Sequence, residues 1–169
     1  RDDFQCLSEF VDKIASGCHI GLVDGLPGTG KSSTLWWKLR QLVAGNKSSL
    51  LWIHMDRAGI VSDVVKVDSA TLVRVELQQQ VGGDDFWKKE LPEISAPSTG
   101  TAILVFDGVN HKRFVHARVA LLNFVKSDKR RRCGFIMSNK IKREHKHQLD
   151  IWEKQQKKGM NAVAHYYHT

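Results

Sequence analysis

The chain has 169 residues, 41% hydrophobic and 26% charged, with a formal net charge of +8. That length suits one domain, and the composition is that of an ordinary soluble globular protein. No apolar run approaches the roughly 20 residues that span a bilayer, so no membrane partner is expected, while the positive balance favours anionic ones.

Arg1 rather than Met comes first, so a processed or excised piece of a longer protein is expected. Phe4, Leu7, Phe10, Val11 and Ile14 recur at helical spacing, which predicts an N-terminal helix within 1–17, stopped at Gly17. "HIGLVDG" (19–25) is a short apolar run of buried-strand type. "SSTLWWKLRQLVAG" then predicts a helix with Leu35, Leu39, Leu42 and Val43 on one side and Gly45 just past its end.

A second buried strand is predicted over 50–56 ("LLWIHMD"). The β-branched stretch 64–77 reads either as a hairpin or as a further strand. Asp84 and Asp85 are placed to cap a short helix, "FWKKEL", that Pro92 ends. "AILVFDG" (102–108) is the strongest strand signal. A helical pattern follows over 111–125, a fourth core strand over 133–139, an exposed helix in "HQLDIWEKQQKKG", and a fifth strand opening at 162–168. Strands alternating with helices predict an α/β fold, a mostly parallel sheet sandwiched by helices. No internal repeat or low-complexity linker interrupts it, and 1–169 reads as a single domain.

The chemistry is carried by "GLPGTGKSS". Gly25, Leu26, Pro27, Gly28, Thr29, Gly30, Lys31 and Ser32 fit G-x-x-x-x-G-K-[ST] between a predicted strand and a predicted helix, the context a phosphate-binding P-loop requires. Glycines allow backbone angles that a side chain forbids, so successive N–H groups can converge on a phosphate. The positive end of the following helix points at the same anion. Lys31 is expected on the β/γ oxygens, Ser32 on Mg²⁺ and Ser33 near the α-phosphate.

The magnesium shell needs an acidic partner, and Asp107, ending the apolar strand, is expected to supply it at the edge where ligands of open α/β sheets collect. Lys31 and Asp107 are thus the expected catalytic pair. The buried strand 50–56 between the loop and Asp107 gives a layout that resembles the additional-strand class of P-loop NTPases, which includes AAA+ and STAND ATPases. ATP is favoured over GTP: "SNKI" (138–141) superficially resembles the guanine-reading NKxD motif but lacks its Asp. ATPases of that class commonly place a Glu directly after the magnesium Asp, whereas Gly108, Val109 and Asn110 follow here. Asp56 is the leading substitute for activating water, with Asn110 and His111 behind it. Turnover is therefore in question while binding is not. Ser138 and Asn139 stand where such proteins keep a polar sensor beside the γ-phosphate; a plain polar strand end reads equally well.

From Lys126 to His147, nine Lys/Arg against Asp128 and Glu144 leave +7. A solvated face is one reading; contact with nucleic acid or an acidic protein surface is the other. The five tryptophans read as packing rather than base stacking. Cys6, Cys18 and Cys133 have neither metal nor disulfide spacing, and the histidines show no zinc pattern.

Together, "GLVDGLPGTGKSSTLWWKL", "LLWIHMD", "AILVFDGV" and "HYYHT" resemble the NTPase module of the Crinkler effectors and the retrotransposon hot spot proteins, over roughly residues 19–169. The resemblance implies a regulatory ATPase module using ATP and Mg²⁺. Its host would be a protein that oomycetes or fungi secrete into host cells, often reaching the nucleus, with further domains on both flanks. Without the resemblance a cytoplasmic location is expected. It also implies an Arg-containing segment after "HYYHT", so the C-terminal end of the domain is expected to be missing and the fragment to bind better than it hydrolyses.

Overall fold

The computed structural model describes residues 3–15, 19–45, 48–68, 71–75, 101–110, 113–127, 131–138 and 163–168. In chain order these form α1 (Asp3–Ala15), β1 (His19–Asp24), α2 (Lys31–Gly45), β2 (Ser48–Met55), β3 (Val61–Val67), β4 (Leu72–Arg74), β5 (Thr101–Asp107), α3 (Phe114–Ser127), β6 (Arg131–Ser138) and β7 (Val163–His168). The strands make one seven-stranded sheet in the order β4-β3-β2-β5-β6-β1-β7. The pairs β1–β6, β1–β7, β2–β5 and β5–β6 are parallel. The pairs β2–β3 and β3–β4 are antiparallel, so the β-branched stretch forms a hairpin on the sheet edge.

Side chains alternate across a strand, and here both faces are covered. Leu50, Trp52, Ile103, Val105, Phe135 and Met137 point to the face packed by α1 and α2, which contribute Leu7, Val11, Ile14, Leu35, Leu39 and Val43. Leu51, Ile53, Leu104, Phe106 and Ile136 point to the face packed by α3 through Phe114, Ala117, Leu121 and Phe124. This explains the unbroken apolar run of β5: Ala102 to Phe106 are all buried, and burying each large side chain stabilises by about 1.5–3 kcal/mol. The two helices on the first face are tied by Lys38 Nζ to Asp12 Oδ2 at 2.9 Å and by Phe4 against Trp37, centroids 5.4 Å apart.

Several expected boundaries shift. Gly45 is the last residue of α2 rather than the first beyond it. The second strand ends at Met55, which leaves Asp56 in the turn to β3. The fourth core strand starts at Arg131, whose backbone pairs with Ala102, so Arg131 and Arg132 fall within the strand, Arg132 at a register irregularity. The helix expected from 111 begins at Phe114, after a turn in which the Arg113 N–H bonds to both the main-chain and the side-chain oxygen of Asn110. The expected helices "FWKKEL" and "HQLDIWEKQQKKG", together with His111, Asn139 and most of the basic segment, lie outside the described residues.

One glycine fixes the path beyond β5. Gly108 has φ +80, and a Cβ there would overlap the Met55 carbonyl oxygen. Gly108→Ala should therefore cost about 2 kcal/mol or more, lowering Tm by at least about 4 °C in a thermal melt. Gly45→Ala, with nothing within 4 Å of the added carbon, should leave Tm unchanged or raise it. Equal losses in the two variants would contradict the assigned path.

Candidate functional site

β1 runs into the sheet edge at Asp24 and the chain leaves it through the loop 25–30. Gly25 is buried and residues 26–30 are exposed. Gly28 and Gly30 have φ +83 and +78, in the left-handed region that only glycine enters cheaply. α2 starts immediately, and the Gly30 carbonyl accepts its first ladder bond from Thr34 N–H at 2.9 Å. The first turn of α2 holds no acidic residue, so its positive end is not neutralised by its own side chains.

Lys31 is buried at 5% exposure. Its ammonium donates to the carbonyls of Gly25 at 3.0 Å and Leu26 at 2.7 Å and to Thr29 Oγ1 at 3.2 Å. Thr29 in turn donates to the Leu26 carbonyl at 3.0 Å. Burial pushes the Lys31 pKa down, and the charges of Asp24 and Asp107 work against that shift. The ammonium thus sits inside the curve of the loop, held by three oxygens.

Ser32 and Asp107, 75 residues apart, meet here: Ser32 Oγ donates to Asp107 Oδ1 at 3.0 Å. The other carboxylate oxygen, Oδ2, lies 3.3 Å from Nδ1 of His54. His54 is half-exposed. Its pKa is raised, first by the hydrogen bond to Asp107, with further help from the charges of Asp107, Asp63 and Asp56 outweighing partial burial. The register explains the meeting. His54 is the direct partner of Asp107 across β2–β5 and of Asp63 across β2–β3. Three neighbouring strands therefore set Asp107, His54 and Asp63 in one row.

The remaining expected residues divide. Asp56 is engaged by the β2–β3 turn: Oδ1 accepts Ile60 N–H at 2.9 Å and its carbonyl accepts Gly59 N–H at 3.0 Å. Asn110 braces the turn before α3, donating from Nδ2 to the Arg57 carbonyl at 3.1 Å. Neither is brought to Asp107 by these bonds. Ser138 ends β6 as the backbone partner of Asp24. Trp36 and Trp52 pack edge to face at 5.2 Å, in keeping with a packing role. His54 and Asp63 were not foreseen; the period-2 series Leu50, Trp52, His54 marked the face of His54, but only the strand register supplies its partners.

The oxygens fit a magnesium ion. Adjacent ligands on an octahedron with bonds of about 2.0–2.1 Å stand about 2.9 Å apart, close to the 3.0 Å between Ser32 Oγ and Asp107 Oδ1. No group of three or more His, Cys, Asp or Glu among the described residues could hold a metal by itself. The rest of such a shell must come from water and a ligand's oxygens, as is usual for Mg²⁺.

No protein-family model and no curated protein matches the chain. Among solved structures it is similar to the crystal structure of Saccharomyces cerevisiae RIF2, with 15% identity, a TM-score of 0.47, and coverage of 97% of this chain and 54% of that one. The chain thus spans about half the length of that structure. No described helix is long and apolar enough to cross a membrane.

The His54–Asp107 contact predicts a pH response. A pKa raised by folding gives stability that is complete below the ordinary histidine value of about 6.5 and lost as pH rises through the raised one. In metal-free protein, an NMR titration of the His54 ring should show a midpoint above about 6.5, and Asp107→Asn should lower it. An unmoved midpoint in Asp107→Asn would remove the carboxylate as the cause.

Proposed function

We propose that the chain is a P-loop NTPase module of the additional-strand class that binds Mg²⁺–ATP and hydrolyses it to control an attached domain, as the Crinkler-type resemblance implies. The observation that carries this is the Ser32–Asp107 contact at 3.0 Å, beside a buried lysine in a glycine loop. The strand order supports the class, because β6 lies between the loop strand β1 and the Asp107 strand β5.

On this proposal, the exposed loop 26–30 and the first turn of α2 wrap the phosphates with N–H donors. Lys31 transfers its ammonium from loop carbonyls to phosphate oxygens, where it offsets negative charge. Ser32 Oγ and an Asp107 oxygen would hold Mg²⁺, which neutralises phosphate charge when bound. His54, bonded to Asp107, keeps that carboxylate oriented.

A second reading is a nucleotide-gated switch with little turnover. It is favoured by a specific observation: Asp56 and Asn110, two of the expected water-activating groups, are engaged in turns. The net charge of +7 over 126–147 also leaves nucleic acid or an acidic protein as a proposed partner.

The test is a thermal melt with Mg²⁺–ATP, Mg²⁺–GTP and the diphosphates, together with phosphate release. Wild type should be stabilised by about 2.7 kcal/mol at a ligand concentration a hundred times Kd, and Lys31→Ala should lose most of the shift. Stabilisation with negligible phosphate release would select the switch. No shift from any of the four nucleotides in wild type would sink both readings, and equal phosphate release by wild type and Lys31→Ala would remove Lys31 from the chemistry.

A further inference from the structure

Beyond Asp107, on the side away from the glycine loop, lies an open groove of about 410 Å³. It is built from two rungs of the sheet. The upper rung is the polar row Asp107, His54 and Asp63. Two residues further down each strand, on the same face, Trp52 and Val65 form an apolar floor. Trp36 of α2 makes the wall, standing edge-on to Trp52, and Ser32 and Ser33 form the end shared with the loop. No residue from Gly25 to Lys31 lines it.

Three properties define what the groove accepts. Its volume falls at the lower end of small-molecule sites, about 300–1,000 Å³. Its walls are aromatic, suited to a planar ring. Its ionisable lining is two carboxylates and one imidazole, with no Lys or Arg among the described residues. That charge disfavours phosphate-bearing ligands and favours hydrogen-bond donors and cations. The glycine loop has the opposite character, so the two compartments sort ligands by charge.

We infer that this groove is a second ligand site, taking a small planar-ring molecule that is neutral or cationic and carries hydrogen-bond donors. Trp36 and Trp52 supply the ring contact and Asp63 accepts a donor. The site's position beside the terminal phosphate of a nucleotide rests on the function proposed above; its ability to bind does not. A ligand there touches the same Ser32 and Asp107 that the loop presents to phosphate, so its occupancy would be felt by the nucleotide.

The test uses calorimetry on Lys31→Ala, in which the phosphate cradle is disabled, with three probes: adenosine (neutral), tryptamine (cationic) and adenosine 5′-monophosphate (anionic). Saturable binding of adenosine or tryptamine is expected, with the monophosphate weaker than adenosine. Adding Asp63→Asn should weaken binding about tenfold by removing a charge-assisted hydrogen bond. Adding Trp36→Leu should weaken it by a similar factor through lost stacking. Asp63→Asn is nearly isosteric and guards against a folding defect, which a thermal melt would reveal. No saturable binding of either adenosine or tryptamine overturns the inference, as does binding that both variants leave unchanged, or a monophosphate that binds more tightly than adenosine. A wild type that binds adenosine or tryptamine but is not shifted by Mg²⁺–nucleotide would retire the nucleotide proposal alone; the reverse pattern would retire the groove alone.

Discussion

A hydroxyl at the start of α2 and a carboxylate at the end of β5 share a hydrogen bond of 3.0 Å, and the arrangement of the sheet edge follows from making that contact possible. β1 and β5 are not neighbours; β6 separates them. Adjacent strands are about 4.8 Å apart, so the loop strand and the Asp107 strand are separated by about twice that distance. The chain leaving β1 must cross the interval before α2 begins. Gly28 and Gly30 supply the left-handed turns that let it do so in six residues and still deliver Ser32 to Asp107.

The same edge concentrates charge that the rest of the interior avoids. Asp24, Lys31 and Asp107 are the buried charged residues among those described, and all three lie where β1 and β5 end. Burying an ion is costly unless it is paired and hydrogen-bonded. Lys31 meets that condition with three oxygen acceptors, while Asp24 and Asp107 oppose the loss of its proton. Asp107 meets it through Ser32 and His54. Such a cluster is a poor way to stabilise a core and a reasonable way to prepare a polar site.

Much of this was legible in the sequence because it depends on local pattern. The apolar runs marked the strands, the 3.6-residue spacing marked α1, α2 and α3, and the glycine–lysine–serine spacing located the loop. The misplaced ends are cases where a tertiary contact overrides composition. Asp56 looks like a strand-terminal carboxylate but caps a turn with Ile60. Arg131 and Arg132 look like part of a connecting segment but lie within β6. The row Asp107, His54, Asp63 was not legible, because it depends on the register of β2 against β3 and on the pairing of β2 with β5, which comes from a distant part of the chain. His54 and Asp63 close the regular part of the β2–β3 register, which shifts only beyond them, between His54 and Met55.

The missing acidic residue after Asp107 has a structural origin. At Gly108 the backbone has φ +80 and passes so close to the Met55 carbonyl that no side chain fits. A glutamate could not occupy that position without moving β2 relative to β5. The same close approach joins the ends of those two strands, where His54 reaches Asp107. The geometry that excludes a carboxylate from the next position in the chain therefore places an imidazole beside Asp107 from the neighbouring strand. The side chains that engage the Asp107 carboxylate therefore come from other elements rather than from the next positions in the chain, Ser32 from the start of α2 and His54 from across the sheet.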